Sequence, residues 1–197
     1  LFRARNFWAG NLATVFVYAA LSLNGFVVSV YLQQGAGLSA TLAGLASLPS
    51  TLLMILLSSR MGALAGRFGP RRFMTLGPLL MAIGSLLLLS VRDDFDYWTQ
   101  VLPGIVLFGL GLTATVSPLT AAVLGAIETE RSGIASAVNN AVSRVAGLLA
   151  IAAVSSVVGG SLDLDGFHRA AIVTAALMLL GAAASFLGIR THLSRTD

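Results

Sequence analysis

The sequence has no cysteine and no lysine, and only eight of its 197 residues are acidic. Without thiols there is no disulfide framework, no thiolate zinc cage and no iron–sulfur cluster. Without lysine there is no GxxxxGK[ST] phosphate loop, so the chain carries no ATP-driven engine of that kind. Its two histidines, His168 and His192, lie outside the long apolar runs. That removes the intramembrane base a membrane serine hydrolase requires. No metal site and no cofactor is expected, and the expected class is not an enzyme.

What the chain has instead is apolar length. Hydrophobic residues make up 56% of it and charged residues 10%, a balance that a soluble domain could not cover with polar surface. The apolar runs approach the ~20 residues that cross a bilayer, and they are nearly continuous rather than confined to one stripe. Backbone polar groups in lipid must be paired within their own segment, so each run reads as a helix; the alternation of barrel strands is missing. The fold class expected is an all-α membrane protein, one domain of six transmembrane helices over residues 1–197. The spans fall at about Phe7–Leu32, Ala40–Ser59, Phe73–Val91, Trp98–Ile127, Gly133–Val158 and Ala170–Ile189. Pro49 is deep enough to kink the second span, whereas Pro103 and Pro118 lie nearer the ends of the fourth. The chain starts at Leu1 with no leader region before the first span, so a fragment without a signal peptide is expected.

All twelve basic residues are arginine, and the formal net charge is +4. In a soluble protein that surplus would suggest nucleic acid; here the positions point elsewhere. Arg3 and Arg5 precede the first span, and Arg60, Arg67, Arg71 and Arg72 gather at the junction of the second and third. Arg131 lies between the fourth and fifth, while Arg190 and Arg195 follow the sixth. The alternate loops carry Arg92 and Arg169 together with Asp93, Asp94, Asp96, Asp163 and Asp165. By the positive-inside rule the arginine-rich segments and both termini face the cytoplasm, in the cell membrane. The partner is a lipid bilayer, not nucleic acid, and every acid is expected in a loop or at the terminus.

The junction after the second span reads GALAGRFGPRR from Gly62 to Arg72. Glycines there permit a tight turn between antiparallel helices, and arginines anchor it against anionic headgroups. The segment resembles the cytoplasmic signature loop of the major facilitator superfamily: Gly62, Leu64, Arg67, Gly69, Arg71 and Arg72 match position by position, with Gly66 where that family has an aspartate. The phrases LFRARNFWAGNL, YLQQGAGLSATLAGLASLP and SGIASAVNNAVSRVAG are similar to stretches in the last six spans of its fourteen-span drug:proton antiporters. The resemblance implies the C-terminal half of such a transporter, with an N-terminal half as its missing partner. It also implies a 3+3 inverted repeat in which spans one to three pack against spans four to six.

Helical spacing locates candidate functional faces. Asn11, Thr14, Tyr18, Ser22, Gly25 and Ser29 recur every three or four residues in the first span, and Gly109, Thr113, Ser117 and Thr120 do so in the fourth. Such stripes serve close helix packing and cavity lining alike. The resemblance favours the cavity, because the first and fourth helices of each half line that family's central pathway. Arg144 is the deepest charge, thirteen residues beyond Arg131, or about 20 Å along a helix axis. It shares a face with Ser136, Asn140 and Gly147, and a charge at that depth demands a partner, water or a path to the interface. The substrate-pathway candidates are therefore Asn11, Tyr18, Ser22, Thr113, Ser117, Asn140 and Arg144.

The function expected is a secondary transporter that expels amphiphilic or cationic small molecules in exchange for protons. With no carboxylate expected in a span, the proton-titrating group belongs to the missing half. The alternative is a non-transporting six-helix scaffold or assembly subunit.

Overall fold

The computed structural model describes residues 5–124 and 132–189. Its helices are α1 (Arg5–Gln34), α2 (Ala40–Ala46), α3 (Leu48–Phe68), α4 (Pro70–Leu87), α5 (Leu102–Leu124), α6 (Ser132–Ala152), α7 (Val154–Val158) and α8 (Leu164–Gly188). A 3₁₀ turn over Leu88–Ser90 extends α4, and a π turn over Tyr97–Val101 leads into α5. Among the described residues six segments are long and apolar enough to cross a membrane: Arg5–Gln34, Ala40–Phe68, Pro70–Ser90, Tyr97–Thr120, Ser132–Ala152 and Leu164–Gly188. Six spans were expected, and six are found.

Several boundaries move. The second span runs to Phe68 rather than Ser59, so Gly62, Leu64 and Arg67 stand on a helix, and so does Arg60. Gly62 and Gly66 weaken helix here, but no proline interrupts it, alanine, leucine, methionine and arginine favour it, and arginine stems reach towards an interface. The helix ends only at Gly69, whose φ of 87° is open to glycine, and Pro70 starts the next. The expected signature loop is thus a single-residue turn. In the second span Pro49 sits at the start of α3, directly after the break at Ser47. The Tyr97 hydroxyl donates to the Ala46 carbonyl at 2.8 Å, occupying an acceptor at that break.

The sixth span begins at Leu164, not Ala170, because the Asp163 carboxylate accepts the Gly166 N–H at 2.8 Å and caps it. Asp165 and His168 therefore lie on a spanning helix, in its first two turns. This corrects the expectations that all acids sit in loops and that no span contains a histidine. The fifth span stops at Ala152 and resumes as α7. Residues Arg3, Ile127, Arg131, Arg190, His192 and Arg195 lie outside the described part.

The main helix contacts form a closed pattern. The first span packs on the sixth and the fifth, the fourth on the third and the second, the third on the sixth, and the first touches the fourth. Exchanging one with four, two with five and three with six returns the same set of contacts. Spans one and four cross in opposite senses, so the exchange also reverses the membrane normal, which is the 3+3 inverted arrangement. Spans one, three, four and six form the centre, and spans two and five flank it. Only 11% and 17% of the most apolar stretch is buried in those two flanking spans, against 39% to 56% in the other four.

Glycine sets the closest crossing. A Cβ on Gly77 would stand 2.8 Å from the Gly111 carbonyl oxygen, and one on Gly84 would stand 2.8 Å from that of Gly104. Both pairs are seven residues apart on antiparallel helices, so α4 and α5 meet backbone to backbone over two turns. Between α4 and α8, the Ser85 hydroxyl donates to the Ala171 carbonyl at 3.0 Å.

Candidate substrate pathway

With α4 and α8 on one side of the bundle, α1 and α5 present their other faces between the flanking helices. Two grooves open there. One, of about 400 Å³, lies between α1, α2–α3 and α5, and its polar lining comes from Asn24, Ser29, Ser47 and Ser50. The other, of about 470 Å³, lies between α1 and α6 and is lined by Tyr18, Ser22, Asn140, Ser143, Arg144 and Gly147 with Leu148 and Ile151.

The polar stripe of α1 divides among three tasks. Asn11 is buried; its side-chain amide donates to the Phe7 carbonyl at 2.8 Å, and its Oδ1 accepts from Asn139 Nδ2 at 3.2 Å. The same Asn139 amide donates to the Thr14 hydroxyl at 2.8 Å. These three side chains clamp α1 to α6. One turn further on, Tyr18 and Ser22 line the α1–α6 groove, and Gly25 and Ser29 line the other. Of the α5 candidates, Thr113 is buried and donates to its own helix at Gly109 O, 2.8 Å away. The Ser117 hydroxyl reaches towards the Ser58 carbonyl across the α3–α5 contact at 3.5 Å. Asn11, Thr113 and Ser117 therefore stand in helix contacts, while Tyr18, Ser22, Asn140 and Arg144 are brought together in one groove.

Sequence reasoning singled out Asn140 and passed over Asn139, which makes the inter-helix bonds. The signal was there: Asn139 lies four residues after Ala135 and seven before Ala146, and all three share the small-residue face that packs on α1. Gly147 completes that face, since a Cβ there would meet the Ser22 hydroxyl oxygen at 2.5 Å. Arg144, three residues before Gly147, stands at the edge of that face, where it lines the α1–α6 groove and is exposed. Its Nε donates to Asn140 Oδ1 at 3.3 Å, which braces the guanidinium along the groove.

At the arginine-rich end the signature residues do something the sequence did not foretell. Arg71 Nε donates to the Phe186 carbonyl at 2.9 Å, and its guanidinium lies 4.5 Å from the centre of the Phe186 ring. Arg5 donates to the carbonyls of Gly188 and Leu187 at 3.1 and 2.9 Å. Two cations thus satisfy the last carbonyls of α8 and face the negative end of its dipole. Gly62 packs near Ser117, whereas Leu64, Arg67 and Arg72 are exposed.

The profile of the Major Facilitator Superfamily matches residues 2–197. The chain belongs to the major facilitator superfamily. It is a multi-pass membrane protein of a transporter family, with the six-helix fold of one half. Among curated proteins it is 30% identical to the methylenomycin A resistance protein of Streptomyces coelicolor, over 87% of this chain and 36% of that protein. It is 29% identical to the riboflavin transporter RibZ of Clostridioides difficile, over 68% of this chain and 29% of the relative. It is 31% identical to the multidrug efflux pump LfrA of Mycolicibacterium smegmatis, over 71% of this chain and 27% of that pump. The chain spans about a third of the length of these relatives.

Proposed function

We propose that this chain is the C-terminal six-helix half of a secondary transporter, which exports small amphiphilic molecules in exchange for protons by alternating access against an N-terminal half. The observation that carries the reading is the open face between the flanking spans. There the central helix α1 turns Tyr18, Ser22, Asn24 and Ser29 into two grooves, while the Thr113 and Ser117 hydroxyls of α5 stay in helix contacts. Relatives named for antibiotic resistance and multidrug efflux support the direction of transport. The only acid on a candidate span among the described residues is Asp165, in the first turn of α8. The proton-titrating group is therefore assigned to the other half.

The protein sits in the cell membrane with both termini in the cytoplasm, as the arginine distribution favours. The test is dye efflux from an efflux-deficient host expressing the complete protein, with and without a proton uncoupler. Efflux that collapses with the uncoupler supports the proposal. Efflux that ignores it removes proton exchange, and no efflux of any dye removes the transporter reading. In the same cells, cysteines at Gly35 and Asp94 react with an impermeant thiol reagent and one at Phe68 does not; the reverse pattern inverts the topology.

A further inference from the structure

The α1–α6 groove has a chemical bias. Arg144 donates through Nε to Asn140, and its two terminal amino groups have no partner among the described residues. The hydroxyls of Tyr18 and Ser22 line the same groove and likewise have none. The Ser143 hydroxyl is spent on the Asn140 carbonyl at 2.8 Å, and Asn140 Oδ1 already accepts from Arg144. What remains unpaired is a set of hydrogen-bond donors around a fixed positive charge. Among the described residues no negatively charged group competes for them. The acids among the described residues, Asp93, Asp94, Asp96, Asp163 and Asp165, all lie in the loop between α4 and α5 or around the start of α8.

Arg144 stands twelve residues beyond Ser132, about 18 Å along the axis from the start of α6. A cation beside the guanidinium is repelled and a planar oxyanion is attracted, more strongly as a bound ligand displaces water from the groove. Arginine presents parallel N–H donors that match the two oxygens of a carboxylate, a fit an ammonium lacks. The apolar end of the groove, at Leu148 and Ile151, accepts a hydrocarbon body.

We infer that the α1–α6 groove is an oxyanion-recognition site, which takes a small amphiphile by its carboxylate, held by the Arg144 guanidinium and the hydroxyls of Tyr18 and Ser22. This rests on the reading of the open face as the transport pathway, and it narrows the cargo. The cationic amphiphiles that the expected function included are disfavoured here, and carboxylates or compounds with an equivalent oxyanion are preferred.

The experiment uses the complete protein in lipid nanodiscs, with empty nanodiscs as the blank. Binding of 2-naphthoate, 2-naphthamide and trimethyl(2-naphthyl)ammonium is measured by titration calorimetry. These probes share one ring system and differ in the charge of the head group. The expected order places the carboxylate at least tenfold tighter than the amide, with the ammonium weakest. Arg144→Gln removes that preference by weakening the carboxylate at least tenfold and the amide much less, and Arg144→Lys keeps part of it. Equal affinities, a preference for the ammonium, or no measurable carboxylate binding overturns the assignment. Loss of all three ligands in folded Arg144→Gln also overturns it, because the arginine then serves the partner half rather than the cargo. The readout is head-group rank in purified protein, so it stands or falls separately from the direction and coupling of transport measured in cells.

Discussion

Gly77 on α4 and Gly111 on α5 face each other, and a Cβ on Gly77 would come within 2.8 Å of the Gly111 carbonyl oxygen and would also clash with the Thr115 hydroxyl. The Thr115 hydroxyl could rotate aside, but the Gly111 carbonyl is backbone and could not. Gly77→Ala and Gly111→Ala are each expected to lower stability by about 1–3 kcal/mol, the usual cost of overpacking a tight core. Gly25→Ala, with open space around its Cβ, should be neutral or slightly stabilising by helix propensity. Thermal unfolding of the purified protein in detergent checks the contrast; equal melting points for the three variants would mean that the α4–α5 contact is looser than described.

The neighbours Asn139 and Asn140 separate structure from binding. Asn139 bonds Asn11 and Thr14 across the helix interface, whereas Asn140 braces Arg144 in the groove. Asn139→Ala should cost about 1 kcal/mol, the scale of an inter-helix hydrogen bond in membranes, and leave head-group preference intact. Asn140→Ala should do the opposite. Melting temperature and naphthoate affinity, measured on both variants, decide it.

The number of spans was legible because continuous apolar runs have few other uses. The helix extent beyond Ser59 was not, since arginines there read as a loop although they stand on a helix reaching the end of the bundle. The stripe on α1 was legible as a face. Its division between α6, the α1–α6 groove and the α1–α5 groove depends on which helices lie opposite, and one helix's periodicity does not contain that. The same holds for Gly77, Gly84, Gly104 and Gly111, whose pairing appears only once α4 and α5 are set side by side. Arg71 looked like a headgroup anchor because its partner, the end of α8, is 115 residues away in the chain.

Gly69 and Arg71 make different demands at the arginine-rich end. Gly69→Val forces a branched side chain into a φ of 87°, and should cost about 1–3 kcal/mol of backbone strain. Arg71→Ala removes a cation from the end of α8, and should cost up to about 1 kcal/mol while accelerating hydrogen exchange in the turn from Ser185 to Gly188. Arg72→Ala, at an exposed position, should leave that exchange unchanged. Peptide-level exchange measured by mass spectrometry distinguishes the three.

Acid should loosen the opposite end first. The Thr99 hydroxyl, and with it the Trp98 and Thr99 N–H groups, hold the Asp96 carboxyl below the usual carboxylate value. The Gly166 N–H and then the Ser161 hydroxyl do the same for Asp163. A lowered folded pKa means that these caps stabilise fully above the ordinary carboxylate value of 3.8, and that the contribution is lost as pH falls through the lower folded value. Melting temperature should therefore be insensitive to these two groups between pH 7 and 5 and fall in stronger acid. Asp96→Ala with Asp163→Ala should flatten that acid limb while lowering the plateau; an unchanged acid limb in the double variant would assign the loss to other groups.

The central claim is that the open face of α1 and α6 belongs to the transport pathway, and Arg144 tests it most directly. The measurement is efflux by the complete protein, normalised to the amount inserted in the membrane, for Arg144→Ala and Arg144→Lys. The account predicts normal insertion with efflux abolished in the alanine variant, and only partial recovery with lysine, which lacks the planar fork of donors. Efflux at the unmodified level from membrane-inserted Arg144→Ala would contradict it.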